Sequence, residues 1–255
     1  MADEFDSGSA YRRNEWRALP AFLLDFLLPP SCPVCRIPCG ENGTLCADCW
    51  SGLDFLTPPW CDVLGTPLPY DPGVRVVSPA AMADPPPWRR ARAAVAYGDR
   101  AARLVGALKY RDRMEVARSM AAMMSRAGAE LLAECDMIVP VPLHYQRLWV
   151  RRFNQSGELA RHLARLSGKP CRNGVLVRRR ATRQQVGLSA TARSRNVAGA
   201  FAVRPERRIE LAGRRVLLVD DVRTTGATLK AAARALRRAG AEVDALTFAM
   251  VVEDA

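Results

Sequence analysis

Hydrophobic positions along the chain fall into two rhythms: short unbroken apolar runs, and longer stretches in which apolar residues return every three or four positions. Residues 216–219, Val-Leu-Leu-Val, are the clearest short run. Four β-formers without alternation predict a strand buried on both faces. Leu229, Ala232, Ala233 and Leu236 then recur at helical spacing, with Gly240 where a helix-ending glycine belongs. The same reading gives strands over 91–97, 137–141 and 243–252. It gives helices around Leu104, Val105 and Leu108, ending near Lys109, over 114–134 as one long helix, and over 154–166. Met114, Met120, Met123 and Met124 read as core filler, and His162 as a residue flanking the apolar stripe of its helix. Alternating strands and helices without a hairpin signal predict an α/β domain from about residue 88 to 255, a mostly parallel sheet with helices on both faces.

The remaining stretches lack a period. Residues 1–17 are polar and read as a frayed tail. Residues 57–87 are proline-rich, an irregular connector rather than packed secondary structure. Residues 175–203 crowd arginine with hydroxyl and amide side chains. They form either a solvated basic loop or, over 180–197, a lid closing on an anionic substrate. The acidic start argues against a signal peptide, and the apolar stretch 21–28 is too short to span a bilayer, which takes about 20 residues. A docked amphipathic helix and a cytoplasmic protein without a membrane span are expected. At 255 residues, with a net charge of +12 and a pI near 9.9, the chain favours polyanionic ligands. Charge alone does not choose between a diphosphate and nucleic acid.

Cysteine spacing adds a metal. Cys32-Pro-Val-Cys35 and Cys46-Ala-Asp-Cys49 are separated by ten residues, a pattern that fits a tetrahedral four-thiolate zinc site in a ribbon over 18–56. A disulfide pair is the competing reading, disfavoured without a secretion signal. Four protein ligands leave no open position, so the zinc is structural. Cys39 reads as a bystander, and Cys61 stands alone in the connector.

Anion chemistry is written directly after the 216–219 strand. Asp220 and Asp221 sit at its carboxyl end, where open α/β sheets bind ligands, and Arg223, Thr224, Thr225, Gly226, Ala227 and Thr228 form the turn into the next helix. Unpaired backbone N–H groups and the positive end of the helix dipole favour phosphate there, with threonine hydroxyls as extra donors. The glycine pattern of a P-loop or a dinucleotide fold is missing. Carboxylates beside a phosphate cradle suit a sugar phosphate. An N-cap carboxylate before an ordinary turn is the bland alternative.

This segment closely resembles the phosphoribosyl-diphosphate (PRPP) motif of type I phosphoribosyltransferases. Together with the four-cysteine module, Leu108-Lys109-Tyr110, Val139-Pro140-Val141-Pro142-Leu143, Arg152-Phe153-Asn154-Gln155 and Thr182…Gln185…Leu188…Arg193…Asn196-Val197, its order resembles the ComF family of zinc-ribbon, phosphoribosyltransferase-like proteins. The resemblance implies a type I phosphoribosyltransferase fold with an N-terminal zinc ribbon. It implies ribose hydroxyls on Asp220 and Asp221, and the 5′-phosphate on residues 223–228. The diphosphate would lie near Arg147, Arg151 and Lys109, with Mg2+ as counter-ion. It further implies PRPP or a nucleotide as ligand, transfer to a nitrogen acceptor, and a link to competence and DNA uptake. Single-stranded DNA and competence or recombination proteins are then expected partners. A non-catalytic nucleotide- or DNA-binding factor is the alternative. Two departures stand out. Arg152 replaces the family's glycine, and Cys61, Leu64-Gly65, Pro67, Ser78 and Ala81 look like the remnant of a second knuckle set, so one zinc is expected. His144 is the imidazole nearest these loops, and no base-recognising pattern marks the acceptor.

Overall fold

The computed structural model describes residues 29–109, 115–143, 153–180, 197 and 199–252. Two short helices come first, α1 (Ala47–Ser51) and α2 (Pro79–Ala83). Strand β1 (Ala91–Ala96) leads to α3 (Asp99–Ala107), α4 (Val116–Ala127), α5 (Ala129–Glu134) and β2 (Met137–Pro140). Then follow α6 (Gln155–Ser167), β3 (Leu176–Arg178), β4 (Phe201–Val203), β5 (Arg215–Arg223), α7 (Ala227–Arg237) and β6 (Glu242–Met250).

The unbroken apolar runs become a parallel sheet in the order β1-β6-β5-β2. Leu217 and Val219 of β5 face Met120 and Met124 of α4 and Leu159 and Leu163 of α6. Val216 and Leu218 join the opposite layer, with Leu229 and Leu236 of α7 and with Leu176, Phe201 and Val203. Both faces are therefore covered, which is why β5 carries no polar alternation until its end. The central strand delivers its carboxyl end, and the two aspartates on it, to the rim where β2 also ends.

Four expectations change. The long helix over 114–134 is broken at Gly128, which ends α4 and precedes α5. A Cβ there would come within 2.8 Å of the Leu246 side chain, so the glycine lets the helix lie against β6. Residues 175–203 contain an antiparallel pair, Leu176↔Val203 through Arg178↔Phe201, whose few apolar positions are diluted in sequence by arginines. Strand β5 runs through Asp220 and Asp221 to Arg223, because β6 pairs with it that far. The connector is packed rather than loose: Cys61 bridges Val76, Trp60 bridges Pro67, and Asp62 N donates to Val76 O at 2.8 Å.

Ionic contacts fasten this connector to the sheet. Arg92, 3% exposed, pairs with Asp62 at 3.1 Å and with Glu130, and its guanidinium lies 4.8 Å from the Trp60 ring centre. Asp244, 2% exposed, accepts from Arg89 Nη2 at 2.6 Å and from the Arg90 N–H at 3.1 Å. Residues 54–56 also run antiparallel beside β1: Leu56 N donates to Ala94 O and Ala96 N to Asp54 O.

Candidate functional site: a phosphate cradle and a four-cysteine cluster

The cradle begins where β5 stops. Gly226 lies in the left-handed region at φ 73° and forms the N-cap of α7 without any side-chain cap. A Cβ on it would find Trp88 at an ordinary 3.5 Å, so glycine is needed for conformation more than for space. With no side chain capping the start of α7, its N-terminal backbone offers the arrangement that takes an anion, next to the exposed Thr224 and Thr225. Ala227 is buried and Thr228 half-buried.

Asp220 is the most perturbed group of the site. It is 8% exposed, and its Oδ1 accepts from Ser156 Oγ at 2.8 Å and from the Asp221 N–H at 3.0 Å. Burial, then the neighbouring Asp221 charge, lift its pKa to about 8. The two hydrogen bonds and the Arg178 charge pull the other way and are outweighed. Asp221 is half-buried, with Oδ1 accepting from the Val222 N–H at 2.7 Å. One carboxylate is thus held inside the protein and its neighbour reaches the rim. Ser156 enters from the first turn of α6, which Asn154 anchors by donating from Nδ2 to Val141 O at 3.0 Å. The chain leaving β2 and the chain leaving β5 are tied together at the same rim.

Of the residues singled out in the sequence, Asp220, Asp221, Thr224, Thr225, Gly226, Ala227 and Thr228 form one continuous cradle. Arg223 departs from it. It is 8% exposed, its Nη2 points at Met250 Sδ, and burial lowers its pKa to about 10, so its side chain turns inward rather than toward the 224–226 turn. Lys109 is exposed just beyond α3 and makes no hydrogen bond to the cradle among the described residues. Arg147, Arg151, Arg152 and His144, and nearly all of the 180–197 loop, lie outside the described residues. Sequence reasoning missed Ser156 and Arg178 as neighbours of Asp220. Ser156 directly follows the Asn154-Gln155 motif, which was the available signal; Arg178 had none, being one arginine in a run of three.

The second cluster is the four-cysteine group. The sulfurs of Cys32, Cys35, Cys46 and Cys49 all lie within 4.8 Å of one another, and Cys35 and Cys46 are 3.5 Å apart. A tetrahedron of thiolates at about 2.3 Å from zinc has edges near 3.8 Å, so the arrangement fits one structural Zn2+. The first knuckle closes through Arg36 N to Cys32 O at 2.8 Å, with Arg36 at φ 66°, and the second opens α1 at Cys46. Without a metal the four thiols divide their protons. Burial raises the Cys32 pKa, but N–H bonds from Cys35, Cys46 and Val34 outweigh it and bring Cys32 down to about 6, while burial and the neighbouring cysteines push Cys49 up to about 12. A cation is what would let all four be thiolates. Cys39 lies beside the group with its Sγ toward Ile37 O at 3.4 Å. No helix among the described residues is long and apolar enough to cross a membrane.

Comparison with known proteins matches this arrangement. Residues 23–80 match the double zinc ribbon domain family, and residues 156–254 the phosphoribosyl transferase domain family. The DNA utilization protein YhgH of Salmonella typhi is 32% identical over 216 residues, spanning 82% of this chain and 79% of that one. Competence protein F of Haemophilus influenzae is 35% identical over 144 residues, 54% of this chain and 62% of its own length. Among solved structures, the allosteric regulatory enzyme of purine biosynthesis is 26% identical over 51% of this chain and 25% of that one, at a TM-score of 0.36.

Proposed function

The chain belongs to the ComF family, that of competence protein F and the DNA utilization protein YhgH, and from that premise we propose that it binds PRPP or a nucleoside monophosphate. One observation carries the reading: an uncapped helix start at a left-handed glycine follows immediately on two carboxylates at the end of a central parallel strand. The N–H groups of the turn and the threonine hydroxyls take the 5′-phosphate, while Asp221 and Asp220 accept from the ribose hydroxyls. Trp88 lies close to Gly226, and Ser156 holds Asp220 through a hydrogen bond of 2.8 Å.

Mg2+ suits the diphosphate end, since it keeps waters and takes few protein ligands; it would supply charge neutralisation of the leaving group. Arg147, Arg151 and Lys109 are the proposed cations for that diphosphate. The reaction would be displacement of diphosphate at C1 by a nitrogen acceptor, with catalysis from positioning and from holding the departing anion. The 180–197 loop would exclude water.

Titration of PRPP with Mg2+ in a thermal-shift assay tests the binding claim. A rise in melting temperature lost in Asp221→Asn supports it, and no shift at millimolar PRPP rejects it. A screen of nucleobases and amines for diphosphate release then tests transfer. A second reading, a non-catalytic factor that binds single-stranded DNA in competence or recombination, is favoured by the charge of +12 and by the DNA-related names of the relatives. It predicts salt-sensitive binding of single-stranded DNA, and no binding in low salt removes it. The proposed site of action is the cytoplasm.

A further inference from the structure

The 224–226 turn has little of its own to hold it in place. Gly226 carries no side chain, α7 starts without a side-chain cap, and Thr224 and Thr225 are exposed. Of the three atoms nearest to where a Gly226 Cβ would sit, two belong to Arg223 in the same segment. The third, at 3.5 Å, is Cη2 of Trp88, which comes from the other side of the sheet sequence, just before β1. Trp88 is itself held on both sides. Pro86 and Pro87, both buried, lead into it with fixed φ, and the next residue, Arg89, donates its N–H to Val243 O of β6 at 2.8 Å. The ring is 5% exposed, in the same apolar layer as Leu229 and Leu236 of α7. Its Nε1 donates to Val63 O at 3.1 Å. A buried indole N–H needs an acceptor, so this bond fixes the rotation of the ring as well as its position.

Val63 lies in a connector turn that β1 fixes. Gly65 N donates to Cys61 O at 2.7 Å, and Leu64 N to the buried Cys61 Sγ at 3.4 Å. Gly65 has φ 66°, and a Cβ there would fall 2.3 Å from Ala91 O, so the turn rests directly on β1. On the residue before Val63, Asp62 O accepts from Arg92 Nη1 at 2.8 Å. The indole therefore reaches from a fastened connector turn, at its Nε1 edge, to the start of α7, at its benzo edge. A second link runs beside it, from Asp84 just past α2 to Lys230 in the first turn of α7. The Asp84 side chain is 74% exposed, so water screens that pair and it holds little.

We propose that Trp88 is the positioning residue of the 224–226 turn: anchored on Val63 O, its ring fixes the turn at Gly226, and the connector thereby sets the affinity of an anion site built from other residues. The physical reason is the cost of ordering. A turn whose N–H groups already point at the ligand binds more tightly than one that must be ordered as the ligand arrives. Glycine at 226 makes the left-handed start of α7 accessible but leaves it free to move, and a fixed aromatic edge at van der Waals distance removes that freedom. The support of the turn stands apart from the PRPP reading; its effect on affinity rests on that reading.

The test is amide hydrogen exchange of the full chain, with and without PRPP and Mg2+, in the unaltered protein, Trp88→Phe and Asp84→Asn. Phenylalanine keeps an aromatic ring but loses the N–H and the far benzo edge. Without ligand, the amides of 225–229 in Trp88→Phe should exchange roughly tenfold faster, through local opening. PRPP affinity should weaken by about the same factor. Asp84→Asn should leave both within about twofold. A substitution that merely destabilises the fold speeds exchange in β6 and leaves the locally opening turn as it was; that outcome overturns the positioning role. Equal effects from Asp84→Asn overturn it too, and faster exchange of the turn with unchanged PRPP affinity overturns the connector's control of binding. Should Trp88→Phe not fold, the unaltered protein decides by reciprocity: PRPP should slow exchange of the Trp88 indole N–H, and an unchanged rate overturns the coupling. Failure of the unaltered protein to bind PRPP strikes the proposed function instead, and exchange of the turn in Trp88→Phe then decides whether Trp88 positions it.

Discussion

Replacing Asp220 by asparagine should make the ligand-free protein more stable at pH 8 while weakening its ligand binding. The folded protein holds a proton on this carboxyl up to about pH 8, whereas the unfolded chain releases it near the ordinary value of 3.8. Between these values the folded state binds more protons, so the stability contributed by this group falls as pH rises through the window and levels off above it. Each unit of difference corresponds to about 1.4 kcal/mol, so roughly four units set an upper bound near 6 kcal/mol. Interior relaxation and the raised effective dielectric of real sites bring the expected size to about 2–3 kcal/mol. An amide keeps the geometry of the protonated acid, and its oxygen can still accept from Ser156 Oγ and the Asp221 N–H. Urea unfolding of both proteins at half-unit steps from pH 5 to 9 is the assay. The parent should lose stability with rising pH relative to Asp220→Asn, with the variants converging near pH 4–5. Equal slopes, or an Asp220→Asn protein less stable at pH 8, would refute burial as the dominant effect. A second consequence is calorimetric. Binding of PRPP and Mg2+ that ionises Asp220 should release about 0.9 proton at pH 7 and roughly 0.1 at pH 9.

The other predictions concern the frame around the site. Elemental analysis should find about one zinc per chain, lost in Cys46→Ser with melting of the ribbon; folded, metal-free protein would contradict it. Gly226→Ala should cost about 1–2 kcal/mol because its φ of 73° is left-handed, with no added steric cost against Trp88, and should weaken PRPP binding more than it lowers stability. Arg92→Met should destabilise by about 1–3 kcal/mol in urea unfolding, since Asp62 loses its ionic partner while Glu130 keeps Arg75 and Arg90. Ser156→Ala removes a bond to the ionised form of Asp220 and should move the pH-dependent step upward, read from the same urea series.

The sequence by itself determined the features whose physics is local. Val216–Val219 had to be a doubly covered strand, the Thr-Thr-Gly-Ala-Thr turn had to expose N–H groups at a helix start, and the paired C-x2-C spacings had to bring four sulfurs together. These depend on period, turn chemistry and ligand spacing, which neighbours in the chain carry. Tertiary structure decided what distant residues do to one another. It buried Asp220 beneath Ser156 of α6 and turned Arg223 inward toward Met250. It also broke the 114–134 helix where Gly128 lets α4 meet Leu246. The antiparallel pair of β3 and β4 was hidden for the same reason: three-residue strands are held by pairing across the chain, not by any period within it. Desolvation, charge pairing and close approach are properties of assembled surfaces. The motif therefore picked out the turn that opens α7, and only the packing showed which carboxylate is buried and which arginine turns inward.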